Sequence, residues 1–572
     1  MRFPKFSKPV ATALLALLLP AACASDNLDL DHTKDINGPA ISGGASLSGN
    51  YLSGRHAQAI RDMPEAVKFL NKSITLSPGI PDLVHKTFVL LASEGRIVEA
   101  LSLADKITGE TSVTPIFGLT VIVDDIQQGR FDKAQATITA LPQGGLNDFM
   151  APLLAAWTSI AQGQSAAQAT ALLEPLLKDG SKPLYYLHKA MILDFKGDLG
   201  GAAKTYQDEI KEQGGVSLRV VQLLGNLYSR MGEGAKAEAL YRDFSKTNPN
   251  SPVTRHALKQ LKSGVAAQPI ISTVKEGAAE SFFGIATTLS QQNARETALI
   301  FARLGLHLRA DFPVMQILLG NILQLDGQLM SANAVYNAID RNSPYSWPAR
   351  LRAAENLDDL ERTAEAIDAL NALAEEEPTL ADPLTRLGDT LRSHERFEEA
   401  VLAYDRAFER IGTLARHHWS LLYARGIVLE RSKQWERAEA DFLKALEFEP
   451  EQPFVLNYLG YSWVDQGKNL DKAKAMIRRA VDLRPSDGYI IDSLGWAHFR
   501  MGEFADSVKE MERAVELTPE DPVLNDHLGD AYWRVGRETE ARYQWQRVLS
   551  VKPDAELRLK VEAKLADGLP DL

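Results

Sequence analysis

A period of about 34 residues is the feature that most constrains what this chain can fold into. From Ala332 onward a small residue returns every 34 to 38 positions, and a glycine precedes most of these residues by twelve or thirteen positions. The small residues are Ala332, Ala366, Ala400, Ala438, Ala473, Ser507 and Ala541. Such a period predicts small units stacked side by side, each contacting its neighbours, instead of one large core.

Each unit is predicted to be a pair of helices. Large apolar residues follow helical spacing, as at Leu456, Leu459 and Trp463, and we expect Trp463 and Tyr532 to lie in the core between repeats. The glycine and alanine in phase suit a close crossing of two helices, and a further glycine such as Gly467 permits a tight turn. A proline ends most units, because proline disfavours continuation of a helix; the prolines are Pro344, Pro378, Pro450, Pro485, Pro519 and Pro553.

The best-matched stretches are LNYLGYSWVDQG, which starts at Leu456, followed by DSLGWAHFRMG and DHLGDAYWRVG. This pattern resembles the tetratricopeptide repeat family, whose unit is two antiparallel helices of about 34 residues. The resemblance implies an all-α fold, a right-handed superhelical solenoid of about 14 to 15 helix pairs in two lobes.

The N-terminal half repeats more loosely, with Gly95 and Ala100 among its clearer signals. We expect an N-terminal lobe of degenerate repeats over 46–262, a joint over 263–274 that carries Gly264 and Pro269, and a C-terminal lobe over 275–554. Residues 555–572 are expected to form a capping helix and tail, because the end of a solenoid has to present a polar outer face.

The first 22 residues have the composition of an export signal: a basic start, an apolar run too short to span a bilayer, and small residues before a cleavage site. Two interpretations of Cys23, the only cysteine, stay open. It is either the lipidated N-terminus of a bacterial lipoprotein, or an incidental residue removed by cleavage after Ala24, which would leave a soluble periplasmic protein. Residues 23–45 are expected to be a flexible tether.

Composition and motifs argue against several function classes. The net charge of −12 makes nucleic acid an unlikely partner, because phosphate backbones require clustered basic residues. No phosphate-binding, dinucleotide-binding, nucleophile-elbow or HExxH motif is present, and a single cysteine excludes thiolate zinc sites. We therefore predict no catalytic residue, no metal site and no cofactor.

In the tetratricopeptide family, the residues that face the concave groove stand at the second, fifth, ninth and twelfth positions of a unit. Transferred to the units that start at Pro453, Gly488 and Pro522, this rule predicts an aromatic and acidic surface suited to a basic or amide-rich extended peptide. The candidate partner-binding residues are Asn457, Tyr461, Tyr489, Asp492, Trp496, Phe499, Asp526, Asp530 and Trp533.

The arrangement of signal, Cys23, tether and repeats resembles bacterial outer-membrane tetratricopeptide lipoproteins that act as adaptors for periplasmic carboxyl-terminal processing proteases. The resemblance implies a scaffold at the periplasmic face of the outer membrane, held by a lipid anchor only, whose partners are a protease and cell-wall hydrolases. A structural part in polysaccharide export or outer-membrane protein assembly is the alternative, and self-association of the array is left open by the sequence.

Overall fold

The computed structural model describes residues 46–104, 115–178, 181–248 and 251–570. The predicted signal over 1–22, Cys23 and the tether over 23–45 lie outside these residues. Within the described ranges the chain forms thirty α-helices and no strand, and consecutive helices pack as pairs. The prediction of an all-α array of about 14 to 15 helix pairs is therefore confirmed.

The density of contacts divides the chain into two compact units between Ala366 and Ile367. The helices of the first unit are α1 (Leu47–Ala59), α2 (Met63–Leu76), α3 (Pro81–Ser93), α4 (Ile97–Leu101), α5 (Pro115–Gln127), α6 (Phe131–Ala140), α7 (Asn147–Ala161), α8 (Ala166–Ala171), α9 (Lys182–Phe195), α10 (Leu199–Gln213), α11 (Leu218–Arg230), α12 (Gly234–Thr247), α13 (Pro252–Ser263), α14 (Val274–Gln291), α15 (Arg295–Leu308), α16 (Pro313–Leu325), α17 (Leu329–Asn337) and α18 (Ser346–Asp359).

The division falls inside the next helix, α19 (Thr363–Glu376). The helices of the second unit that follow it are α20 (Asp382–Ser393), α21 (Phe397–Ile411), α22 (Trp419–Arg431), α23 (Trp435–Phe448), α24 (Pro453–Asp465), α25 (Leu470–Leu483), α26 (Gly488–Arg500), α27 (Phe504–Leu517), α28 (Pro522–Arg534), α29 (Glu538–Ser550) and α30 (Ala555–Asp567).

Where a helix pair carries the periodic glycine, a large side chain of the partner helix requires it. In α20 a β-carbon added to Gly388 would come within 2.5 Å of the Tyr404 ring, sixteen positions later in α21. Gly529 has the same relation to Trp545, at 2.4 Å. Because such distances lie far inside van der Waals contact, only glycine lets the two helices approach this closely. The periodic glycines therefore mark the crossings of helix pairs, as predicted.

The ends of the helices also follow the sequence signals. Gly467 and Gly502, which stand between the helices of two pairs, have φ angles of +68° and +78°, the left-handed conformation that glycine adopts without strain. Asp521 caps α28 by accepting hydrogen bonds from the backbone N–H groups of Val523 and Leu524, at 2.8 and 3.0 Å. The predicted prolines follow the second helices, as Pro519 follows α27.

In the first unit, α14 and α15 pack against helices far earlier in the chain: α14 against α7 and α9, and α15 against α3 and α5. Gly277 of α14 lies directly on the Trp157 ring of α7, since a β-carbon there would come within 2.4 Å of it. Arg303 of α15 donates a hydrogen bond to the Ser93 carbonyl at 3.2 Å. The segment 263–274 connects α13 to α14 and so lies within the first unit, whereas the contact-based division comes after Ala366.

Candidate partner-binding groove

The predicted groove positions lie on the first helices of three consecutive pairs, α24, α26 and α28. We call the side of α22, α24, α26 and α28 that carries these positions the groove face. Four aromatic residues on it are half-buried, namely Tyr461, Tyr489, Trp496 and Trp533. The other predicted residues are buried, namely Asn457, Asp492, Phe499, Asp526 and Asp530. Trp463 and Tyr532 lie in the core, as expected, with exposures of 2% and 7%.

At α26 the groove face is a stack of rings above a buried carboxylate. The Trp496 ring stacks on Phe499, with centroids 5.0 Å apart, and on His527 of α28, at 4.4 Å. Nδ1 of His527 lies 2.9 Å from a carboxylate oxygen of Asp492, which is fully buried. Burial alone would lower the pKa of His527, but Asp492, with Asp526 and Asp530, raises it above its usual value. This direction favours the protonated form of the imidazole beside Asp492.

At α28 the acidic groove residues are paired with the chain's own C-terminal helix. The Lys564 ammonium of α30 lies 2.8 Å from Asp526 and 2.7 Å from Asp530, and the Trp545 indole donates a hydrogen bond to Asp530 at 3.1 Å. Burial, followed by the charge of Asp526, raises the pKa of Asp530 to about 6, although Lys564 acts in the opposite direction. Lys564 was not predicted from the sequence; the acidic pair one helical turn apart was the signal that could have indicated it.

The end of the chain also covers Trp533. The Gly568 backbone lies directly on the Trp533 ring, because a β-carbon there would come within 2.4 Å of it. Leu569 packs in the same apolar cluster, and Arg534 donates a hydrogen bond to the Pro570 carbonyl. The predicted positions Asp526, Asp530 and Trp533 therefore contact residues of the same chain, and partner binding at them stays a prediction.

A cavity of about 320 Å³ opens on the groove face between α22 and α24. It is lined by Glu430, Arg431, Tyr458, Tyr461, Ser462, Asp465 and Gln466. Its size is at the lower end for ligand pockets, which suits a single side chain. Of the predicted residues, Tyr461 is the one in the lining. Burial, with the nearby charges of Asp492 and Asp465, raises the pKa of Tyr461, which keeps its hydroxyl protonated.

Glu430 was missed by the sequence reasoning, although it stands at the twelfth position of the unit that starts at Trp419. The groove rule applied one repeat earlier would have found it. In the structure the Tyr458 hydroxyl donates a hydrogen bond to Glu430 at 3.0 Å. The groove face is therefore acidic at α22 as well as at α26 and α28.

Two predicted residues carry buried polar atoms that lack a hydrogen-bond partner among the residues the structure describes. They are the Asn457 side-chain oxygen in α24 and the Trp496 indole nitrogen in α26. Leaving such a group unpaired costs about 1–3 kcal/mol. Asn457 lies one helical turn before Tyr461, on the same side of α24. An unpaired acceptor and an unpaired donor are therefore buried beneath the groove face.

The corresponding positions of α11, in the first unit, contact other parts of the same chain. In α11, Arg219 pairs with the buried Glu280 of α14, and Gln222 accepts a hydrogen bond from the Tyr345 hydroxyl at 2.8 Å. Asn226 donates from its amide to the Gln268 main-chain carbonyl at 2.9 Å. The segment around Gln268 has no regular secondary structure, so α11 binds an extended stretch of its own chain.

A cluster formed by His498, Glu503 and Asp506 brings three potential metal ligands together. Glu503 is, however, already paired with the Lys474 ammonium at 2.8 Å, and Arg478 approaches His498 at 3.2 Å. The two basic side chains supply the positive charge that an ion would bring. We interpret the cluster as an ion-pair network between neighbouring helices.

Comparison with known proteins identifies the repeat type. The family model "Tetratricopeptide repeat" matches residues 385–454 and 493–555. These stretches belong to the tetratricopeptide repeat family. No curated protein matches the chain.

Solved structures of tetratricopeptide proteins are similar to the chain at low identity. A tetratricopeptide repeat protein from Parabacteroides merdae shares 16% identity, with a TM-score of 0.37, and the match covers 45% of this chain and 99% of that one. A chain of the APC/C hetero-tetramer Cut9–Hcn1 shares 13% identity, with a TM-score of 0.37 and coverage of 92% and 97%. YrrB, described as a tetratricopeptide protein with an unusual peptide-binding site, shares 21% identity, with a TM-score of 0.27 and coverage of 34% and 98%.

The matched tetratricopeptide repeats include part of the groove face. Trp496, Phe499, Asp526, Asp530 and Trp533 lie within the second matched stretch, and Glu430 lies within the first. The predicted residues of α24, together with Tyr489 and Asp492, lie between the two stretches. None of the described helices is both long and apolar enough to cross a membrane.

Proposed function

We propose that this chain is a non-catalytic scaffold that binds extended segments of other proteins on the groove face of its second unit. Tetratricopeptide repeats generally mediate protein–protein interaction. One observation carries the proposal. The first unit fills the groove positions of α11 with its own α14 and residues around Gln268, whereas the second leaves Tyr461 and a cavity accessible between α22 and α24. Half-buried aromatic rings suit a peptide ligand.

The proposal extends to the place of action. The export signal and Cys23 support a lipid-anchored protein at the periplasmic face of the outer membrane, with a soluble periplasmic protein as the alternative. The partners would then be periplasmic proteins, such as a carboxyl-terminal processing protease and the cell-wall hydrolases it degrades. The scaffold would bring enzyme and substrate together and raise their effective concentration.

Photo-cross-linking from the groove face tests the scaffold. Tyr461 is replaced by p-benzoylphenylalanine in cells that express the full chain, and cross-linked proteins are identified by mass spectrometry. The control places the same residue at Tyr543, which is 66% exposed on the second helix α29. We expect specific adducts from position 461 that position 543 does not give. Equal adducts from both positions, or none from 461, would contradict the proposal.

The anchor is tested separately by Cys23→Ser. We expect this substitution to move the protein from the membrane fraction to the soluble periplasmic fraction. An unchanged distribution between the two fractions would rule out lipidation of Cys23 and leave the scaffold proposal standing.

A further inference from the structure

The groove carboxylates of the last two repeats are each balanced by a basic side chain of the same chain. Asp492 faces His527 at 2.9 Å, and Asp526 and Asp530 share the Lys564 ammonium. The lysine is only 16% exposed, so its charge is held in a largely desolvated setting. The molecule thus shows that this face can seat a lysine side chain between acidic groove positions.

Glu430 breaks this rule. Its hydrogen-bond partner is the neutral Tyr458 hydroxyl at 3.0 Å, and no basic side chain of the described residues forms an ion pair with it. The guanidinium of Arg431, which also lines the cavity, lies over the Phe397 ring at 4.8 Å. Glu430 thus lines the cavity without an ion pair of its own, although the guanidinium of Arg431 lies in the same lining, and charge complementarity at such a carboxylate favours a basic group.

The walls of the cavity fit a long basic side chain. Tyr458 and Tyr461 provide aromatic surface for an aliphatic stem or a guanidinium plane. Asp465 adds a second carboxylate at the mouth, 62% exposed, and Arg500 approaches it only to 3.6 Å. Burial is the main cause of the raised pKa of Tyr461, and the charges of Asp492, Asp465 and Glu430 raise it further, whereas Arg500 lowers it.

We propose that the cavity between α22 and α24 is a subsite for a lysine or arginine side chain of an extended partner segment. Glu430 is its charged acceptor, and Tyr458 and Tyr461 form its walls. The inference rests on the scaffold proposal and deepens it, by naming the chemistry that the groove face selects.

Peptide titration of the full chain tests the subsite. Four fluorescent peptides share an extended background of serine, alanine and leucine and differ at two positions, which are arginine, lysine, citrulline or glutamate. Citrulline keeps the shape of arginine and removes its charge. We expect the arginine and lysine peptides to bind at least about tenfold more tightly than the citrulline peptide, because a charge-assisted hydrogen bond is lost. We expect the glutamate peptide to bind least.

A charge-removing variant locates the effect. Glu430→Gln should lower the affinity for the arginine peptide to that of the citrulline peptide and leave citrulline binding unchanged, which is the signature of a direct pair. The matched control is Glu398→Gln, an exposed glutamate on the second helix α21, and it should change neither affinity. Circular dichroism confirms that both variants fold.

Equal binding of the arginine and citrulline peptides would overturn the inference, and so would an arginine affinity that Glu430→Gln leaves intact. Failure of all four peptides to bind would overturn it as well. In each of these cases, specific cross-links from position 461 to a protein partner would still support the scaffold, so the two proposals fail separately.

Discussion

The two units build their helix pairs in the same way and use the groove side of those pairs differently. In the first unit the groove positions of α11 are polar, and each has a partner from the same chain. In the second unit the groove positions of α24, α26 and α28 are largely aromatic and acidic, and those of α28 are covered by α30 and Gly568. The residues of the repeat pattern determine how two helices pack as a pair. The residues outside that pattern determine whether the groove side of the pair is covered by the same chain or stays exposed.

The largest effect is expected from a substitution that breaks the contact between α11 and α14 in the first unit. Glu280→Ala leaves Arg219 buried without its carboxylate, since the side chains are 1% and 12% exposed in the pair. Breaking one partner of a buried pair costs about 3–5 kcal/mol. We expect faster hydrogen exchange over α14 and a lower urea midpoint. Glu238→Ala, which removes an exposed pair with Arg242 on α12, is the control, and an equal loss in the two variants would contradict the buried-pair argument.

The second effect is a pH dependence confined to the first unit. Burial lowers the pKa of His188 to about 3, and its Nδ1 accepts a hydrogen bond from Trp157 at 3.1 Å. The unfolded chain binds a proton at His188 more readily than the folded chain does. The free energy of unfolding is therefore at its full value above about pH 6.5 and decreases as the pH falls towards 3. We expect a loss of about 2 kcal/mol between pH 7 and 5, measured as hydrogen exchange of α9.

His188→Asn supplies the control for this dependence. Asparagine keeps an acceptor for the Trp157 indole and removes the titrating group, so the difference between pH 7 and 5 should shrink. If α9 in the variant loses as much protection as in the natural chain, His188 is not the source.

A smaller effect is expected from a substitution that loosens α30, the helix that covers the last repeat of the second unit. Lys564→Met removes the ammonium shared by Asp526 and Asp530, and we expect local opening of α30 to become easier by about 1–2 kcal/mol at pH 7. The difference should narrow near pH 5, because Asp530, whose pKa is about 6, is then protonated. Hydrogen exchange over α30 measures both the free energy of local opening and its change between pH 7 and 5. Lys560→Met, which removes an exposed pair with Glu556, should leave the exchange unchanged. A similar change in both variants would contradict a specific role of the ion pairs that Lys564 forms with Asp526 and Asp530.

Much of the fold follows from the sequence because its information is periodic. Gly388 contacts Tyr404, sixteen residues later, and a contact of a periodic glycine with a large side chain sixteen or seventeen residues later recurs in the other well-matched repeats. The groove rule of the tetratricopeptide family predicted Tyr461, which lines the cavity on the groove face. Which grooves are covered cannot be predicted from the sequence, because the covering contacts join residues that do not recur with the repeat. Arg303 reaches the Ser93 carbonyl across 210 residues, and Lys564 reaches Asp526 across 38. Such pairs depend on how the helices stack, which no local pattern encodes.

The smallest expected effect shows that surface pairs do not distinguish the units. Arg96 and Glu99 in the first unit, and Arg396 and Glu399 in the second, form the same pair at 2.6 Å across the first turn of a second helix. In each, the arginine lowers the pKa of the glutamate. Exposed pairs contribute little, because water and salt screen them. Glu99→Gln and Glu399→Gln should therefore leave both thermal unfolding and groove occupancy unchanged within error. A clear destabilisation by one substitution and not the other would show that the units differ outside their grooves, and the contrast between filled and open grooves would then be incomplete.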